Sequence, residues 1–208
     1  MLYNPKLSQF METYGIVLVV LAMMAVLAFI KPDVFLSAEN LTNILKQNAS
    51  LALLALGMLV VIVTGGIDLS VGSVMALAMV VIAIASQAGV PWPICLLIGP
   101  AVGLAAGWGN GVGLTWLSLP HPFIMTLGTL NIARGLTYLV TGGAPVSGVS
   151  PEVRYLGTEY WSLGLFQPPA GLPVSLIVVA VSAVLLWFFL NRTSTGRHIY
   201  AIGGNPHA

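Results

Sequence analysis

The sequence predicts an all-α integral membrane protein, a polytopic helix bundle of about six membrane segments, and three observations carry that prediction. Of the 208 residues, 58% are hydrophobic and only 6% charged, whereas a soluble domain carries about 25% charged residues. The mean hydropathy is +0.98. Apolar runs approaching the roughly 20 residues that a helix needs to cross a bilayer recur along the whole chain. Seven Lys or Arg against six Asp or Glu leave no basic surface for nucleic acid. Cys95 is the only cysteine and no Cys/His cluster has metal-ligand spacing, so no intramolecular disulfide, metal or cofactor is expected.

The first segment spans 14–30 and ends at Lys31-Pro32-Asp33. Lys6 ahead of an apolar run imitates a signal peptide, but Glu12 interrupts it and further spans follow, so an uncleaved helix is expected. Residues 37–48 are amphipathic, with Ser37 as N-cap, Glu39 in the first turn, and Leu41, Ile44, Leu45 and Asn48 on one face. That pattern predicts a helix lying at the membrane interface. The second and third segments, 50–64 and 69–86, are parted only by Gly65-Gly66-Ile67-Asp68. The second is short for a crossing, which predicts a broken or re-entrant element near residues 50–73.

The fourth segment, 93–116, is flanked by Trp92 and Trp116 as aromatic anchors. The fifth, 123–140, follows Pro120-His121-Pro122, where His121 reads as a loop residue. A polar stretch, 141–171, opens with a turn at Gly142-Gly143 before the sixth segment, 172–190. With the N-terminus inside, six crossings return the chain to the same side. Lys6, Arg192 and Arg197 inside then balance Lys31, Lys46 and Arg154 outside, so charge alone does not orient the bundle.

Between Gln47 and Ala133 the one formally charged side chain is Asp68. A carboxylate in such surroundings has to be paired, capped or functional. With Ser70 nearby, it suits the cap of a helix beginning near Leu69. It also suits a translocation path or gate, where a helix break exposes backbone groups that are tolerated only beside protein or water. Arg134, one turn after Asn131, either faces the bundle interior or snorkels to the interface. Gly99, Gly103, Gly107 and Gly111 recur every four residues along one helical face and read as a helix-packing surface rather than a substrate contact. No phosphate loop, His-Glu-x-x-His or Gly-x-Ser-x-Gly elbow is present, so no catalytic residue is assigned and an enzyme is not expected.

The run Thr64-Gly65-Gly66-Ile67-Asp68-Leu69-Ser70-Val71-Gly72-Ser73 resembles the signature of bacterial ribose/xylose/galactoside-type ABC transporter permeases. Two further blocks follow in the family's order. Pro122 to Thr129, continuing to Ala133-Arg134-Gly135-Leu136, is similar to the second block, with Met125 where Val or Ala is commoner. Thr195 to Pro206 is similar to a cytoplasmic loop that precedes the helix docking on the ATP-binding subunit.

The resemblance implies the multi-pass membrane subunit of a sugar importer in the bacterial inner membrane. Its implied partners are a separate ATP-binding-cassette ATPase, a periplasmic or lipid-anchored substrate-binding protein, a second permease copy and membrane lipid. It implies path or gate roles for Gly65, Gly66, Asp68, Ser70, Gly72, Thr126, Asn131 and Arg134. It implies ATPase coupling for Gly196, Arg197, Tyr200, Gly203, Gly204 and Asn205, which places Arg192 and Arg197 on the cytoplasmic side. Family members continue beyond this loop, so residues 1–208 are expected to be one transmembrane permease domain cut off within it. The rival expectations are an ion-coupled secondary transporter with Asp68 as proton carrier, and a non-transporting membrane fragment.

Overall fold

The structure, a computed structural model, describes residues 5–161 and 171–205. The rest of the polar stretch 141–171 and Pro206 lie outside the described residues. The described chain is helical almost throughout: α1 (Pro5–Ile30), α2 (Pro32–Phe35), α3 (Ala38–Val63), α4 (Val71–Gln87), α5 (Trp92–Trp116), α6 (Pro122–Thr141), α7 (Pro151–Thr158), α8 (Val174–Arg192) and α9 (Ser194–Gly204). The strands β1 (Tyr160–Trp161) and β2 (Leu172–Pro173) form one short antiparallel ladder.

Among the described residues, five helices are long and apolar enough to cross a membrane, and α4 is a shorter apolar helix of 17 residues. Their outward faces are apolar and bare: Ile16, Phe29, Leu104 and Trp116 are each more than 70% exposed. Such a surface is tolerable only in lipid, whose tails are as apolar as the side chains. Trp92 and Trp116 are exposed at the two ends of α5, as aromatic anchors require.

Residues 37–48 do not form a separate interfacial helix. They run without a break into 50–63 as α3, 26 residues long, because nothing at Asn48-Ala49-Ser50 interrupts helical hydrogen bonding. The second span is therefore not short. At 1.5 Å per residue α3 reaches about 39 Å, so its polar first turns extend past a hydrocarbon core of about 30 Å. Ser37 caps it as expected, its hydroxyl accepting from Asn40 N–H at 3.1 Å. The short crossing is α4, about 25 Å long by the same rise, so one of its ends is drawn into the membrane boundary.

Contacts at the helix ends give the topology. Asn43 and Lys46 near the start of α3 meet the α7–β1 region: Lys46 Nζ donates to the Thr158 carbonyl at 2.6 Å and lies 4.4 Å from the Tyr160 ring centre, while the Tyr160 hydroxyl donates to Asn43 Oδ1 at 2.9 Å. At that same end Gln87 donates to the Ser147 carbonyl, and Ser150 N–H donates to Ser86 Oγ at 2.9 Å, tying the end of α4 to the segment before α7. At the opposite end Ser70 meets Asn110 in the second half of α5, Leu69 meets Thr126 near the start of α6, and α9 packs on α3 and α8. The short helix α2 bridges α1 to α3, with Asn40 donating to the Phe35 carbonyl at 2.9 Å. Among the described residues six long helices therefore run alternately between the two ends, and α1 begins at the end where α9 lies.

Cys95 sits near the start of α5 and is fully buried, with its thiol 3.4 Å from the Val90 carbonyl oxygen. It is no handle for surface labelling, which leaves introduced cysteines readable without removing it. Glu152→Cys on α7 should react with a membrane-impermeant maleimide added outside right-side-out vesicles. Arg197→Cys on α9 should react only after permeabilisation. Labelling of both from one side would break the six-crossing topology.

Candidate translocation site

The turn joining α3 to α4 is built from its sequence in two steps. Gly65 takes a left-handed conformation at φ +76°, Gly65 N–H donates to the Ile62 carbonyl at 2.9 Å and Gly66 N–H to the Val61 carbonyl at 3.0 Å. This paired closure ends a helix and satisfies carbonyls that would otherwise be orphaned, and glycine adopts it without steric cost. Gly66 is buried, and a Cβ there would lie 3.2 Å from Val61 Cγ1 and 3.4 Å from Pro122. Asp68 then accepts from Ser70 N–H at 2.7 Å and from Ser70 Oγ at 2.6 Å, both on Oδ1. The helix begins at Val71 rather than near Leu69, so the carboxylate folds the turn ahead of the helix instead of capping its first amides.

Ser70 is 1% exposed and is the hub of a one-way row of hydrogen bonds. Thr129 Oγ1 donates to Asn110 Oδ1, Asn110 Nδ2 donates to Ser70 Oγ at 3.3 Å, and Ser70 donates to Asp68. Each member is polarised by the next and the row ends on a charge, which strengthens it in a low-dielectric setting. Thr126, 4% exposed, holds the turn from the other flank: its hydroxyl accepts from Leu69 N–H at 3.3 Å and lies 3.4 Å from the Ile67 carbonyl oxygen. Asp68 Oδ2 makes no hydrogen bond among the described residues.

Two cavities flank Asp68, of about 450 Å³ and 210 Å³, and both have Asp68, Gly107 and Asn110 in their walls. The larger falls within the roughly 300–1,000 Å³ of small-molecule sites. Its wall on α5 is the glycine stripe, facing Met75 and Met79 of α4. Within the described residues this stripe has little opposite it: a Cβ on Gly103, Gly107 or Gly111 would meet nothing within 4 Å, and one on Gly99 would touch Ile82 at 3.4 Å. Gly99, Gly103 and Gly107 thus line a groove.

Of the residues expected at a path or gate, Gly65, Gly66, Asp68, Ser70 and Thr126 come together. Gly72 is exposed and approaches nothing. Asn131 and Arg134 are exposed on α6, with the Asn131 amide donating to its own helix at the Leu127 carbonyl, because α6 continues to Thr141 and turns that face away from the turn. His121 is the N-cap of α6, its Nδ1 accepting from Phe123 N–H at 3.2 Å. The run matched to a cytoplasmic loop is helical as α9, on which Arg197, Tyr200, Gly203 and Gly204 are exposed and Gly196 is buried, with Asn205 exposed as its C-cap. Asn110 and Thr129 were not singled out by the sequence. The available signal was an amide among glycines inside an apolar span.

A family model described as branched-chain amino acid transport system / permease component matches residues 40–208. The chain belongs to this family. Its relatives include the D-allose transport system permease protein AlsC of Escherichia coli (strain K12), 35% identical over 96% of this chain and 59% of that protein. The ribose import permease protein RbsC of Bacillus subtilis (strain 168) is 36% identical over 98% of this chain and 58% of its own length. The galactose/methyl galactoside import permease protein MglC of Escherichia coli (strain K12) is 36% identical over 96% and 62%. The chain thus spans about three-fifths of the length of these curated relatives. No solved structure matches it. The resemblance carried by the three motif blocks is borne out, and the permease turn holding Asp68 lies in the matched region.

The hydrogen-bond row sets an order of stabilities. Asp68→Ala removes the acceptor from two donors of buried Ser70, a loss of about 1–3 kcal/mol for each donor left unsatisfied. Asp68→Asn keeps an acceptor oxygen in place. In detergent, the melting temperature should fall most for Asp68→Ala and less for Asp68→Asn, which loses the charge but keeps an acceptor; an unshifted Asp68→Ala would show the row to be dispensable.

Proposed function

We propose that this chain is part of the membrane-spanning subunit of an ATP-binding-cassette importer that moves a monosaccharide or similar polyol across the bacterial inner membrane by alternating access. The carrying observation is the groove at the α3–α4 turn, where Asp68, Ser70 and Asn110 are the polar members of a mostly apolar, glycine-walled cavity. An apolar cavity with a few placed polar groups suits a neutral, hydroxyl-bearing solute that has to be held briefly and released. Relatives named for allose, ribose and galactose transport support the solute class. In this reading ATP hydrolysis belongs to a separate subunit, a binding protein delivers the solute outside, and a second permease copy completes the path. ATP acts by favouring one permease conformation over another, and differential stabilisation of that kind is sufficient to shift the population.

Vesicles carrying the assembled transporter should accumulate D-allose, D-ribose or D-galactose when ATP is supplied to the ATPase side, and should do so with the proton gradient collapsed. Uptake that persists without any ATP-binding subunit and vanishes with an uncoupler would instead establish ion-coupled transport. Within the importer, Asp68→Asn should reduce initial uptake about tenfold or more if the charge itself is used, with insertion intact, since one lost charge-assisted hydrogen bond is worth roughly 1.5–3 kcal/mol. Unchanged uptake would confine Asp68 to shaping the turn.

A further inference from the structure

The polar row at the α3–α4 turn is organised around a hydroxyl. Ser70 Oγ donates to Asp68 Oδ1 at 2.6 Å and accepts from Asn110 Nδ2 at 3.3 Å, so one oxygen stands between a carboxylate and an amide. A sugar hydroxyl can make the same two bonds, giving one proton and taking another. Ser70 itself is 1% exposed and out of a solute's reach. Asp68 and Asn110 are half-buried and stand in the walls of both cavities.

Each of these two side chains keeps a bond unspent. A carboxylate accepts on two oxygens, and a side-chain amide donates through two N–H groups. Asp68 Oδ1 takes both contacts from Ser70, and Oδ2 takes nothing among the described residues. Asn110 gives one N–H to Ser70 and its Oδ1 accepts from Thr129, which leaves the second N–H without an acceptor among the described residues. An acceptor and a donor are thus left side by side at the cavity wall. The carboxylate repels an anion, and the N–H offers a cation nothing. A single hydroxyl on the solute fills only one of them well. Two hydroxyls on neighbouring carbons fill both, one donating to Asp68 Oδ2 and the other accepting from Asn110 Nδ2. The apolar face of the same ring has Val71, Val74 and the glycines of α5 to lie against.

We propose that Asp68 Oδ2 and Asn110 Nδ2 form a subsite for a vicinal diol of the solute, with Asn110 as a specificity-determining residue. The choice of a sugar as that solute rests on the import reading. Filling the subsite costs the turn no hydrogen bond, because Ser70 is held through Asp68 Oδ1 whether or not Oδ2 is engaged.

The probes are methyl β-D-ribofuranoside, which carries one vicinal diol, and methyl 2-deoxy-β-D-ribofuranoside, which carries none. Their affinities are read by saturation-transfer NMR on the assembled transporter without its binding protein, so that only the membrane part meets the solute. The parent should bind the deoxy glycoside about tenfold more weakly, the loss of one hydrogen bond in a site that water also enters. Asn110→Leu, nearly isosteric but without the N–H, should bind both glycosides equally; Asn110→Ala gives the same reading where the leucine is not accommodated. Asn48→Leu replaces an amide on α3 that donates to its own helix at the Ile44 carbonyl, and should keep the parent's preference. A parent that binds the two glycosides alike, or binds neither, overturns the subsite. So does an Asn110 variant that keeps the parent's ratio even as both affinities fall, which is the mark of a purely structural residue. ATP-driven uptake of D-ribose by the complete transporter is read separately. Its absence removes the import reading, whereas uptake without any diol preference in binding removes the subsite alone.

Discussion

Everything near the candidate site depends on one requirement: a chain reversing direction within the membrane boundary must satisfy its own backbone. Water is scarce there, and each unpaired amide or carbonyl is expensive. The stretch from Thr64 to Ser70 meets the requirement with local chemistry, using a left-handed glycine to close α3 and a carboxylate to fold the approach to α4. Thr126 from α6 and Asn110 from α5 then hold the turn in place. Structural need and functional placement fall on the same atoms, because the groups that satisfy the turn also stand in the cavity walls.

The rest of the bundle is shaped by how little polar material it contains. Helix α4 packs on both α5 and α6, while α3 packs on α8, and small buried residues such as Ala78, Ala83 and Ala133 allow close approach. Helix α1 stands apart, with none of its apolar window buried. In water that surface would drive aggregation; in lipid it costs nothing, and helix association rests on packing and a few interhelical hydrogen bonds.

Much of this was legible in the sequence, for reasons that can be named. The lone charge of Asp68 and its Gly-rich surroundings marked the turn because charge is costly and left-handed backbone selects glycine. Ser37 announced a helix start through its side chain. What stayed hidden depended on partners distant in sequence. Whether a glycine stripe is a seam or a wall depends on what stands opposite, and Gly103, Gly107 and Gly111 face open space. For Arg134 the sequence left the bundle interior and the interface both open, and only the rotation of α6, which leaves it exposed, decides which face it occupies. The polar half of α3 masked its continuity with the apolar half, since a helix crossing the headgroup layer changes composition without changing conformation.

The burial of Cys95 has a consequence for the chain's redox behaviour. Oxidation and thiol exchange depend on a sulfur that reagents can reach, and this one is closed off near the start of α5. An exposed thiol there would invite mixed disulfides and covalent cross-links between neighbouring molecules. Packed as it is, the protein carries a cysteine as filler, and its assembly with other chains has to be wholly noncovalent where that residue is concerned.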